Sequence, residues 1–201
     1  MQSDYEKARR EGERAYRRAV ASGQYPYLPA LDSMGQGIDK MAVRELGVKE
    51  IPLNMIAGTR TVGRQNAFAC NFMPITEPGS EFAQKWSSLY DSALEDGIRE
   101  PIKVYEYMNK FYVEEGNKRV SVSKFIGYVS IPGNVIRILP PKTDDPGSRI
   151  YYEYIDFYNV TGLFSITFSF LSFGFYYFSA CLPVPASLDT FVVFLLPTLF
   201  L

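Results

Sequence analysis

The residues best placed to do chemistry are Gly116-Asn117-Lys118-Arg119. A glycine just before a helix permits a tight turn and leaves the first backbone N–H groups of that helix without partners. Those donors, together with the positive end of the helix dipole, form a site for an anion. Lys118 and Arg119 add two full charges, and a guanidinium can hold a phosphate through two parallel hydrogen bonds. The same pattern also describes an ordinary helix start with solvated basic residues beside Glu114 and Glu115. Local sequence leaves both readings open.

Other chemistries are removed by composition. The 201 residues include no histidine, which excludes Ser-His-Asp and Cys-His arrangements, imidazole bases and His-containing zinc sites. Cys70 and Cys181 are far apart and form no CxxC, so neither a thiolate metal cage nor a disulfide framework is expected. Asp96, Glu114 and Glu115 are carboxylates near the turn, but their spacing is not a metal motif. Glu114 and Glu115 would point to opposite faces of a strand.

The elements that must position the turn are readable around it. Glu50–Ile56 is short, apolar and bounded by turn residues, which predicts a strand, followed by a glycine-bearing loop through Arg64. Phe82, Trp86, Leu89 and Ala93 recur at helical spacing, with Ser80 as cap, Gly97 as stop and Trp86 facing the core. Pro101–Tyr107 and Lys110–Glu114 read as a hairpin turned at Met108-Asn109. A short helix follows the glycine turn and ends at Gly127, and Asn134–Leu139 closes the set as a strand. This order implies a small α+β domain with one mixed sheet.

Upstream, Asp4–Ala21 predicts a charged helix with a thin apolar stripe of Tyr5, Ala8, Ala15, Ala19 and Val20. Its Arg9, Arg10, Arg14, Arg17 and Arg18 could touch phosphate, although four acids interleave with them. An extended connector, Gln24–Pro29, and a poorly patterned stretch, 30–47, lead into the domain.

The block as a whole resembles a known family. Ile51–Ile56, Arg64 followed by Phe68, a helix ending in Glu95-Asp-Gly-Ile98, Pro101–Val104, and Phe111-Tyr-Val-Glu-Glu-Gly-Asn-Lys-Arg119 through Gly127 to Ile131-Pro132 are similar to the N-terminal domain of ParB-type chromosome-partitioning proteins. That domain shape is shared with sulfiredoxin. The resemblance covers about residues 48–140. It implies a ParB/sulfiredoxin-like α+β fold whose Gly-x-x-Arg turn holds the phosphates of CTP or ATP, with Mg2+ as a potential companion. Gly116, Asn117, Lys118 and Arg119 fill that turn, and Arg64 takes the place of an arginine in the early loop.

The departures limit what is carried over. Asn117 stands where sulfiredoxins carry the attacking cysteine, so sulfiredoxin activity is not expected. No helix-turn-helix pattern follows Pro140. The expected function is therefore a regulatory, non-catalytic nucleotide- or phosphate-binding module. The alternatives are a DNA-binding partitioning or regulatory protein acting through the arginine helix or through a missing C-terminal region, and a metal-dependent nuclease or phosphotransferase of the same fold. A homodimer stays open as an assembly.

The chain changes character near its end. Of 43 charged residues, 42 precede Phe157, and nine of the 15 phenylalanines fall in the last 41 positions. The expected organisation is a helix and connector at 1–47, the α+β domain at 48–140, a linker and aromatic segment at 141–160, and an apolar tail at 161–201. Arg149–Tyr158 fits either an alternating or an amphipathic pattern. Residues 162–182 carry no charge over a length that could span a bilayer, which would anchor the domain on the cytoplasmic side. A buried apolar extension is a further alternative. The abrupt loss of charge favours a frame-shifted or truncated continuation of a soluble chain, which coding DNA beyond codon 170 would decide. A charged N-terminus without an apolar run makes the cytoplasm the expected compartment.

Overall fold

The computed structural model describes residues 2–35 and 37–164, with the side chains of Gln2, Arg64 and Gln65 outside that description. Residues 165–201 are likewise outside it, so the tail readings fall largely beyond the described residues. Among the described residues no helix is long and apolar enough to cross a membrane. The chain divides into two compact units, Met1–Thr143 and Asp144–Leu201.

The first unit is an α+β fold on one mixed five-stranded sheet. Its elements are α1 (Gln2–Ala21), β1 (Ala42–Pro52), β2 (Ile56–Thr59), α2 (Glu81–Asp96), β3 (Ile102–Tyr107), β4 (Lys110–Glu115), α3 (Asn117–Ile126) and β5 (Ser130–Leu139). The strands lie in the order β1-β5-β3-β4-β2. β1 and β5 are antiparallel, β5 and β3 parallel, β3 and β4 an antiparallel hairpin, and β4 and β2 parallel.

Alternation in β3 places Ile102, Val104 and Glu106 in the interior. Val104 pairs with Val113 on one side and Val135 on the other, and all three are fully buried. The hairpin turns at Met108 and Asn109, both at positive φ, and Asn109 N–H donates to Glu106 Oε1 at 2.8 Å. At the far end of this buried row Glu106 meets Arg137, its register partner on β5. The two form an ion pair with no solvent exposure on either side chain.

The helices bury their faces as expected. Ser80 caps α2 by accepting from Ala83 N–H at 3.2 Å, and Gly97 ends it at φ 72°. Trp86 is fully buried, stacks on Tyr90, meets Tyr5 and Phe125 edge-on, and donates from its indole to Ser121 Oγ at 2.9 Å. Tyr5 and Ala8 of α1 join this cluster, so the charged helix is part of the core and not an appendage. Of its expected apolar stripe, Val20 is instead exposed.

Two sequence expectations are revised. The single strand over Glu50–Ile56 is the junction of two strands at opposite edges of the sheet. Pro52 ends β1, Leu53–Met55 make one 3-10 turn, and β2 starts at Ile56. Proline lacks the N–H a continuing ladder needs, and Leu53 N–H instead donates to Val129 O at 2.9 Å. The unpatterned stretch before it contains most of β1, an edge strand whose residues are largely exposed on both faces.

The second unit contains α4 (Pro146–Thr161). Asp145 caps it by accepting from Ser148 N–H, Pro146 opens it, and Gly162 closes it in the left-handed region. The aromatic segment is therefore helical, with Tyr158 stacked on Phe164 at 4.7 Å.

Candidate functional site

β4 delivers the chain to Gly116, which adopts φ 105° and opens α3. A Cβ at this position would fall 2.5 Å from Ile102 Cγ2, so both the backbone angle and the buried β3 side chain require glycine. The first in-helix bond runs from Val120 N–H to Gly116 O at 3.0 Å. The amides of Asn117, Lys118 and Arg119 thus have no acceptor within the helix, and no side chain caps it. Asn117 is buried. Its Nδ2 donates to Thr59 Oγ1 on β2 at 3.3 Å, while its Oδ1 has no hydrogen-bond partner. Thr59 in turn donates to Val113 O at 3.0 Å.

The two cations of the turn diverge. Lys118 Nζ lies 4.7 Å from the centre of the Phe82 ring, at the start of α2. Burial there, and then the neighbouring Lys85 charge, lower its pKa, with Glu81 opposing. Arg119 reaches the segment after the end of α2. Its Nη1 donates to Pro101 O at 3.1 Å and its Nη2 pairs with the Glu100 carboxylate. Lys118 and Arg119 therefore have separate partners, one at the start of α2 and the other beyond its end. Glu100 is 76% exposed, so the acid holding Arg119 is at the surface.

Arg64 falls in the 3-10 turn Val62–Ala67, with its side chain outside the described residues. Among the carboxylates near the turn, Glu114 pairs with Lys103 at 2.6 Å and Asp96 with Arg99 at 3.1 Å. Among the described residues no three His, Cys, Asp or Glu side chains group to hold a metal. The Glu100 carboxylate is already paired with Arg119. The residues of the turn suit phosphate oxygens and do not by themselves suit Mg2+.

Sequence reasoning missed Lys124. It lies seven residues after Asn117 on the same face of α3, with Nζ 3.5 Å from Ile56 O and 4.8 Å from the centre of the Phe72 ring. Burial brings its pKa down to about 8. A lysine in line with Asn117 on this short helix was the available signal. Two open clefts, one lined by Glu13, Tyr16, Arg17, Tyr27 and Ile75, the other by Gly37, Lys40, Met41, Ala42, Leu139 and Pro141, are not bordered by Gly116–Arg119.

No family model and no curated protein matches the chain. Among solved structures it is similar to sulfiredoxin from Arabidopsis thaliana, at 24% identity over 44% of this chain and 82% of that one, with a TM-score of 0.32. It is also similar to the C-terminally truncated chromosome-partitioning protein ParB from Caulobacter crescentus complexed with CTP-gamma-S. That match has 16% identity over 60% of this chain and 56% of that one, with a TM-score of 0.32.

Proposed function

We propose that the chain is a non-catalytic nucleotide- or phosphate-binding module whose anion seat is the start of α3. The observation that carries this reading is the left-handed Gly116, fixed against Ile102, presenting three helix-start amides that nothing in the helix accepts from. The ligand's phosphate would take the amides of Asn117, Lys118 and Arg119. Arg119 would exchange the Glu100 carboxylate for phosphate oxygens, a swap between two charge-assisted contacts at the surface. Lys118 contributes charge from beside Phe82 and does not close on the ligand as a second claw. Arg64 is the remaining cation of the reading, and its contribution is read from Arg64→Ala.

The resemblance in sequence makes CTP and ATP the first ligands to test. Isothermal titration of the chain with CTP, ATP, GTP and inorganic triphosphate is the experiment. A saturable heat that is lost in Arg119→Ala supports the reading. No heat with any of the four sinks it.

A further inference from the structure

The arginines of α1 were not absorbed by the α3 site, and the structure sorts them. Arg9 is withdrawn: it pairs with Glu13 at 3.0 Å and with Glu77 at 2.9 Å. Arg10, Arg14, Arg17 and Arg18 are exposed and have no ion-pair partner among the described residues. At 100° per residue these four fall within an arc of about 100°. The buried Tyr5, Ala8 and Ala19 occupy the opposite side of the helix. Glu6, Glu11 and Glu13 flank this stripe and form no ion pair with its four arginines among the described residues.

Beside the stripe lies a cleft of about 310 Å³ lined by Glu13, Tyr16, Arg17, Tyr27 and Ile75. It is a built feature. The rings of Tyr16 and Tyr27 meet edge to face at 5.3 Å, and Tyr25 packs on Tyr27 at 5.8 Å. The connector bearing Tyr25 and Tyr27 is fixed by a bridge from Tyr27 to Ala69 and by Cys70 N–H donating to Pro26 O at 2.9 Å. Gly12 of α1 approaches so closely that a Cβ would lie 2.4 Å from Pro74 O. Flat aromatic walls at the edge of a line of unpaired guanidinium groups are what a polynucleotide with unstacked bases requires: a charged track for phosphates and rings for bases. The Glu13 carboxylate within the cleft repels phosphate, which puts a base, and not the backbone, against the tyrosines.

We infer that α1 and the Tyr16–Tyr27 cleft form a binding surface for single-stranded nucleic acid, with phosphates along Arg10, Arg14, Arg17 and Arg18 and a base seated against the tyrosines. The surface is separate from the α3 turn and does not depend on nucleotide binding there.

The test is fluorescence anisotropy of the full chain with a labelled 15-nucleotide DNA strand, the same strand as RNA, and its DNA duplex, over a salt series. Binding of either strand is expected to weaken with salt, with a log–log slope of about −2 to −3 for three or four phosphate contacts. Arg10→Gln/Arg14→Gln/Arg17→Gln should cut affinity at least about tenfold and flatten that slope. Tyr16→Leu should cost about fivefold or more and leave the slope unchanged. Lys118→Ala/Arg119→Ala should bind the strands as the parent does, which separates this surface from the α3 site. Preference for the DNA or the RNA strand names the source, and either upholds the inference. Absence of strand binding overturns it. So does duplex binding equal to strand binding, or binding indifferent to the arginine triple or to Tyr16→Leu.

Discussion

Arg119, on the first turn of α3, is held by the carboxylate of Glu100, nineteen residues earlier and just ahead of β3. The contact places an acid where an incoming phosphate would be gripped. An ion pair with one partner this exposed contributes about 0–1 kcal/mol, so it is a weak competitor and not a lock. Glu100→Gln should raise affinity for a triphosphate about two- to fivefold by titration calorimetry. Its unfolding midpoint should stay close to that of the parent. A loss of affinity in this variant would show that Glu100 supports the site and does not compete for it.

Gly116 and Gly127 bracket α3, both at positive φ, yet they should respond differently to alanine. A Cβ at Gly127 meets nothing within 4 Å, whereas one at Gly116 collides with Ile102. Gly127→Ala should cost about 1 kcal/mol from the backbone angle alone. Gly116→Ala should cost about 2–4 kcal/mol, since β3 and α3 must also separate. Urea denaturation of the two variants measures the difference, and equal losses would deny the close packing of the turn.

Lys124 gives stability a pH signature. Its folded pKa of about 8 lies below that of a free lysine, because burial disfavours its charged form. Between pH 8 and about 10 the unfolded chain binds the extra proton, so stability rises with pH across that window. The cost of the largely buried charge, present in full below pH 8, is on the order of 3 kcal/mol. Tyr5 and Tyr112, pushed up to about 12 by burial, act in the opposite sense, and stability falls once unfolded tyrosines ionise above pH 10. Chemical denaturation from pH 7 to 11 should peak near pH 10. Lys124→Met should be more stable at pH 7 and lose the rise, and a rise that persists would assign it to another group.

Glu106 and Arg137 close the buried row of the sheet. Removing one charge takes from the other its buried ion-pair partner, so Glu106→Gln should destabilise by about 3–5 kcal/mol. The double replacement Glu106→Leu/Arg137→Met should recover a large part of that loss, as a buried pair gains little over apolar packing. A double variant as unstable as the sum of the singles would point to contacts beyond the pair.

What the sequence made legible follows burial. β3 was readable because alternate residues enter the core, β4 because Phe111, Tyr112 and Val113 form a short buried apolar run, and α2 because Trp86 and its helical neighbours share one packed face. β1 was not, since an edge strand exposed on both faces carries no period, and its junction with β2 read as one strand because Ile51 and Ile56 are both buried. The glycine turn was visible as residue types. The direction of its cations was not, because Arg119 answers to Glu100 and Lys118 to Phe82, partners supplied only when α2 and β3 fold beside α3. Arg9 left the arginine stripe for the same kind of reason: Glu77 reaches it from 68 residues away.

The central claim is that the amides opening α3 receive the ligand. Titrating CTP into 15N-labelled chain and following the backbone N–H resonances tests it residue by residue. Saturable shifts should be greatest at Asn117, Lys118 and Arg119. Saturating nucleotide that leaves those three unmoved, whatever else it shifts, would contradict it.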